Sequence, residues 1–139
     1  MPIEILLADD DAADVCLMRE ALAQGGLQAR LHVVRDGVEL LDYLHRCGHH
    51  DDATRPDLIL LDLNMPRKNG MEALAEIKRD DSLRSIPVIV LTTSTSREDI
   101  ASSYDLCASC FITKPADLHQ FFDTVRLIEA FWFGVATLP

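Results

Sequence analysis

Five short apolar runs punctuate the chain, and each stops at or just before a polar or charged residue. Ile3 to Ala8, broken only by Glu4, runs into Asp9-Asp10; Leu31 to Val34 leads to Asp36; Leu58 to Leu61 ends at Asp62; Val88 to Leu91 at Thr92; Phe111 to Thr113 at Lys114. Apolar runs without polar alternation read as strands buried on both faces, which is the mark of a parallel sheet. The segments between them have helical spacing instead. Val15, Met18 and Leu22 keep one face of a first helix over Ala12 to Ala23, with Gly25-Gly26 as its stop. Asp36 with Glu39, Asn69-Gly70 before Met71, Leu74 and Ile77, Ser96 with Asp99, and Asp117 before Leu118, Phe121, Val125 and Ile128 open four more. Strands alternating with helices five times require right-handed crossovers, hence an α/β fold with a doubly wound five-stranded parallel sheet in the common order 2-1-3-4-5.

That order decides where chemistry sits. Strands 1 and 3 become neighbours at the point where the winding reverses, and ligands of such sheets bind at the carboxyl ends there. Asp9, Asp10 and Asp62 then share one rim with Thr92 and Lys114. Any one Asp after a strand is ordinarily just the cap of the next helix. Four strand ends with complementary groups outweigh that reading. Crowded carboxylates are relieved by raised pKa values or by a divalent cation with oxygen ligands, and Mg2+ suits them because it keeps positions open for a phosphoryl donor. A carboxylate can then attack phosphorus while Lys114 and Thr92 neutralise and hydrogen-bond the transferred group.

In this light Leu6-Leu7-Ala8-Asp9-Asp10, Leu60-Leu61-Asp62-Leu63-Asn64-Met65-Pro66 through Gly70, Val90-Leu91-Thr92 and Phe111-Ile112-Thr113-Lys114-Pro115 resemble, in order, the motifs of the receiver domains of two-component response regulators. The resemblance implies a flavodoxin-like receiver fold and a single receiver domain over 1–139. It implies that Asp62 accepts a phosphoryl group from a sensor histidine kinase, and that Asp10, Asp62 and the backbone carbonyl of Asn64 hold Mg2+ (or Mn2+), with Asp9 acting through water. Lys114 would pair with the phosphoryl oxygens, Thr92 and Phe111 would form a switch pair, and the Lys114-Pro115 peptide would be cis. Asp11 prolongs the acidic run, and the strand's end favours Asp9-Asp10 as the pair. The long segment Cys47 to Pro56 and the apolar C-terminal extension at about 129–139 look like those of the stand-alone response regulators paired with bacterial phytochromes. A bacteriophytochrome is therefore the expected kinase.

Rival readings exist. A Mg-dependent phosphatase with an aspartyl nucleophile would carry Asp-x-Asp after its first strand; Asp9-Asp10-Asp11 has that spacing without the Thr that follows. A phosphate-independent receiver-like interaction module would not need Asp10, Asp62, Thr92 and Lys114 together. The receiver reading implies no enzyme: a phosphoacceptor catalyses only its own phosphorylation and dephosphorylation.

The remaining signals narrow the partners. A formal net charge of -10 repels the nucleic-acid backbone. The N-terminus lacks a basic leader and no apolar run spans a bilayer, so a cytoplasmic protein with reduced thiols is expected. Cys16, beside Val15, reads as a small buried hydrophobe, and Cys107-Ala108-Ser109-Cys110 precedes a strand rather than a helix, unlike redox motifs. His45, Cys47, His49, His50, Asp51 and Asp52 are metal-binding types whose spacing fits no closed zinc pattern. Phe131, Trp132, Phe133, Val135 and Leu138 form an apolar cluster in the tail. Consecutive aromatics point about 100° apart on a helix. They cannot all turn to one core, and a homodimer through the last helix and tail is expected.

Overall fold

The structure, a computed structural model, describes residues 2–25 and 28–139. Gly26, second residue of the expected helix stop, lies outside the described residues. Strands β1 (Ile3–Ala8), β2 (Ala29–Val34), β3 (Leu58–Leu61), β4 (Val88–Thr92) and β5 (Cys110–Thr113) alternate with helices α1 (Ala12–Gln24), α2 (Gly37–His45), α3 (Gly70–Arg79), α4 (Arg97–Asp105) and α5 (Leu118–Glu129). All neighbouring strands are parallel, in the order β2-β1-β3-β4-β5. The expected topology is thus the observed one.

The sheet separates two apolar layers. Leu6, Ala8, Ile59, Leu61, Val88 and Val90 meet Leu40, Leu74 and Ile77 of α2 and α3 on one face. Ile5, Leu7, Leu58, Leu60, Ile89 and Leu91 meet Val15, Met18, Leu22, Phe121, Val125 and Ile128 of α1 and α5 on the other. The central strands β3 and β4 are buried at every position, as unbroken apolar runs require. Glu4 tolerates its buried place in β1 because β2 brings His32 to 2.8 Å and Arg30 to 3.3 Å of its carboxylate.

Caps fix where the helices start, and so hold the rim in place. Asp11 accepts from the N–H groups of Ala13 and Asp14, Asp36 from Glu39, Ser96 from Asp99, and Asp117 from His119 and Gln120. Asn69 and Glu72 cap each other reciprocally. Gly70 is required at the head of α3, since a Cβ there would overlap the carbonyl oxygen of Asp62. Backbone and acidic site are packed that closely.

Two expectations about burial are corrected. Cys16 is exposed, because it stands one residue, about 100°, off the stripe of Val15, Met18 and Leu22. Leu118 is also exposed: it stands in the first turn of α5, one turn ahead of the buried Phe121, and lines a cleft with Lys114, Pro115 and Asp117. Beyond Glu129 the helix widens into a π-type turn over Ala130–Val135. Trp132 and Phe133 fold back onto the α1/α5 layer, whereas Phe131 and Val135 are 52% and 76% exposed. Among the described residues, no helix is long and apolar enough to cross a membrane.

Candidate functional site: an acidic pocket closed by a lysine

The carboxyl ends of β1, β3 and β5 converge on one ammonium. Lys114 Nζ donates to Asp9 Oδ2 at 2.8 Å, to Asp62 Oδ2 at 2.9 Å and to Asp14 Oδ2 at 2.7 Å, with its side chain only 7% exposed. Parallel pairing makes this possible. Asp62 N–H donates to the carbonyl of Ala8, locking β3 to β1, and Lys114 N–H donates to the carbonyl of Thr92, locking β5's end to β4.

Each acid has its own environment. Asp9 is buried, with Oδ1 accepting from the N–H of Asp11 and Oδ2 from Lys114. Burial pushes its carboxyl above the ordinary value, only partly opposed by those bonds. Asp62 is buried too, and its Oδ1 accepts from the N–H of Asn64 at 3.1 Å. Asp10 is exposed. Burial alone would lower the Lys114 pKa, but the hydrogen bonds to Asp14, Asp9 and Asp62 more than offset it and the ammonium is held well above its usual range.

Carboxylate oxygens of Asp9, Asp10 and Asp62 lie within 4.8 Å of one another. An all-oxygen donor set of this kind, anionic and open on the Asp10 side, fits a hard divalent cation and not a soft one. Asp14 is the member that reading the sequence missed. It sits in the first turn of α1, where an acid is unremarkable beside a positive helix end; the signal was its spacing from the Asp11 cap, which aims it back at the strand ends.

Thr92 is fully buried, and its Oγ1 accepts a long 3.5 Å bond from Ser94 N–H. Ser94 in turn donates to Asp99 of α4 at 2.6 Å. Phe111 is half-buried against the α2/α3 layer, and its N–H donates to the hydroxyl of Tyr104 at 3.1 Å. Asp11, by contrast, is turned away to cap α1, so the third acid of the run does not join the pocket. The expected cis linkage is also corrected. No cis peptide bond occurs among the described residues, so Lys114-Pro115 is trans; the lysine's long side chain reaches all three acids from the favoured isomer.

Residues 5–126 match the response regulator receiver domain. The chain belongs to that family. Response regulator Rcp1 of Synechocystis sp. is 44% identical over 138 residues, covering 99% of this chain and 94% of that protein. The crystal structure of the phosphorylated cyanobacterial phytochrome response regulator RcpA superposes with a TM-score of 0.96 at 50% identity, covering 100% of this chain and 99% of that one. The Mn2+-bound form of Rcp1 follows at a TM-score of 0.95 and 43% identity, covering 99% of each. The receiver reading and its sheet order therefore hold, and this is a response-regulator signalling domain.

Proposed function

We propose that the chain is a single receiver domain over 1–139 that takes a phosphoryl group onto Asp62 from a sensor histidine kinase, with a bacteriophytochrome as that kinase. The observation that carries this is the junction of Asp62, Asp9 and Lys114 at three strand ends. Kinship with RcpA, a phytochrome response regulator, supports the choice of kinase.

Asp62 carboxylate attacks phosphorus; the P–N bond to the kinase histidine breaks, its electron pair stays on the imidazole, and an acyl phosphate forms on Asp62. Lys114 gives up part of its contact with Asp62 and turns a donor to a phosphoryl oxygen. Asp10, Asp62 and the backbone carbonyl of Asn64 would hold Mg2+ or Mn2+, which would supply charge neutralisation to the transferring group. Asp9 would act on that ion through water. Beyond its own phosphorylation and hydrolysis the chain catalyses nothing. The Asp-x-Asp phosphatase reading is disfavoured because Asp11 caps α1.

The response is a population shift in which Thr92 donates to the new phosphoryl oxygens, its loop moves inward, and Phe111 turns further into the space released. The protein works in the cytoplasm, binds no nucleic acid, and forms a homodimer through its last helix and tail. Within the cluster Phe131, Trp132, Phe133, Val135 and Leu138, the most exposed members are Phe131 and Val135, and Leu127 at 71% exposed joins them.

Incubation with acetyl phosphate and Mg2+, read by intact mass, tests the acceptor. The wild type should gain one phosphate, and Asp62→Asn none. Full labelling of the variant, or of the wild type in excess EDTA, overturns the assignment.

A further inference from the structure

Outside the acidic pocket, the loop after α2 and the first turn of that helix carry a second group of ligand atoms. A 3-10 turn over Gly48–His50 sets two adjacent imidazoles facing back toward the first turn of α2, their ring centroids 4.0 Å apart. Glu39 Oε2 lies 3.3 Å from His50 Nε2 and 3.9 Å from His49 Nε2. All three atoms fall within 4.8 Å of one another.

Two further observations separate this group from an ordinary surface ion pair. The carboxylate is already oriented: Glu39 Oε1 accepts from the N–H of Arg35 at 2.8 Å, which leaves Oε2 to the histidines. An outer hydrogen bond of this kind is what positions metal-binding side chains. His50 Nε2 is buried with no hydrogen-bond partner among the described residues, although Oε2 is only 3.3 Å away. The two atoms are close but misaligned for an N–H···O bond. Their separation instead equals the edge of a tetrahedron around zinc with bonds of about 2.0–2.1 Å, an edge of about 3.3–3.4 Å. Sequence spacing concealed the set because its third ligand comes from α2, ten residues upstream.

We propose that Glu39, His49 and His50 form a divalent transition-metal site of the zinc class, which pins the Cys47–Pro56 loop to the start of α2. Two imidazole nitrogens and one carboxylate oxygen select a borderline ion such as Zn2+ over hard Mg2+. The two sites of the molecule therefore discriminate by chemistry. His49, whose side chain is 81% exposed, is the arm that closes on the ion, and its exposure leaves the remaining coordination positions to water.

Titration of the full-length protein with ZnCl2 in saturating Mg2+, which occupies the acidic pocket, tests this. The wild type should bind one Zn2+, with affinity falling about tenfold or more in each of His49→Ala, His50→Ala and Glu39→Gln. Long-range 1H–15N spectra should show the imidazole nitrogens of His49 and His50 moving on zinc addition while those of His32, His45 and His119 stay. His49 is exposed, so His49→Ala keeps its fold and provides a test independent of His50. Zinc binding undiminished in the triple variant, or shifts confined to the other histidines, overturns the proposal.

Discussion

At the scale of single residues, Lys114 pairs with more carboxylates than any other cation among the described residues. It is one buried cation among three carboxylates, and removing one partner from such a buried set leaves uncompensated charge. Lys114→Met should cost about 3–5 kcal/mol in urea unfolding at pH 7 with EDTA present. The pH dependence follows from the direction of the shift. A cation whose folded pKa lies above its unfolded value of 10.5 contributes its full stabilisation below that value and loses it as pH rises through the folded one. The gap between wild type and variant should stay constant from neutrality to about pH 10 and narrow above it; a gap that closes between pH 7 and pH 9 refutes the account. What was legible at this scale divides by cause. Asp9, Asp62 and Lys114 could be placed together because each ends a strand, and a sheet order converts strand ends into neighbours. Asp14 could not, since its approach depends on the direction of a helix turn, and Cys16 was misjudged by a single step of helical rotation.

At the scale of elements, the proposed response to phosphorylation would pass from the pocket into α4 and β5. The chain of contacts from the pocket runs through the β4–α4 loop: Thr92 to Ser94, and Ser94 to Asp99 in the first turn of α4. Tyr104 near the other end of α4 then holds the N–H of Phe111 on β5. On the proposed function, a Thr92 hydroxyl drawn to the phosphoryl group would act on the loop, the head of α4 and the Phe111 strand through these contacts. Phosphorylation of Thr92→Ala should proceed to one phosphate as in the wild type, while the amide shifts in α4 and β5 shrink toward zero. Wild-type-sized shifts at Asp99, Tyr104 and Phe111 in that variant would show that the coupling takes another route. Elements themselves were the most legible level of the fold, because buried parallel strands are unbroken apolar runs and each of the five α-helices opens on a capping side chain. Burial at their ends was less so. Leu118 keeps core spacing in the sequence, yet it lines a cleft rather than the core, because spacing fixes a helix face and not where along the helix core contact begins.

For the whole molecule, the open question is what covers the tail. The sheet ends at β5, and beside that edge runs an apolar groove lined by Cys110, Ile112, Leu127, Ile128, Phe131 and Trp132. The tail splits its aromatics as consecutive helical positions demand: Trp132 and Phe133 return to the protomer's own core, while Leu127, Phe131 and Val135 stay between 52% and 76% exposed. Burying those three on each of two copies contributes roughly 6–12 kcal/mol. Association costs about 4–15 kcal/mol, so a symmetric dimer lies within reach only if this whole patch is used. Because the patch is exposed in the protomer, charge can be added to it without disturbing the core. The double variant Phe131→Glu/Val135→Glu should sediment as a monomer at micromolar concentration and keep the wild-type melting temperature to within a few degrees, whereas the intact chain should sediment as a dimer. Trp132→Ala should behave differently, lowering stability by about 1–3 kcal/mol because this half-buried ring packs against the protomer's own core. An intact chain that sediments as a monomer eliminates self-association and leaves the Leu127, Phe131 and Val135 face to the kinase.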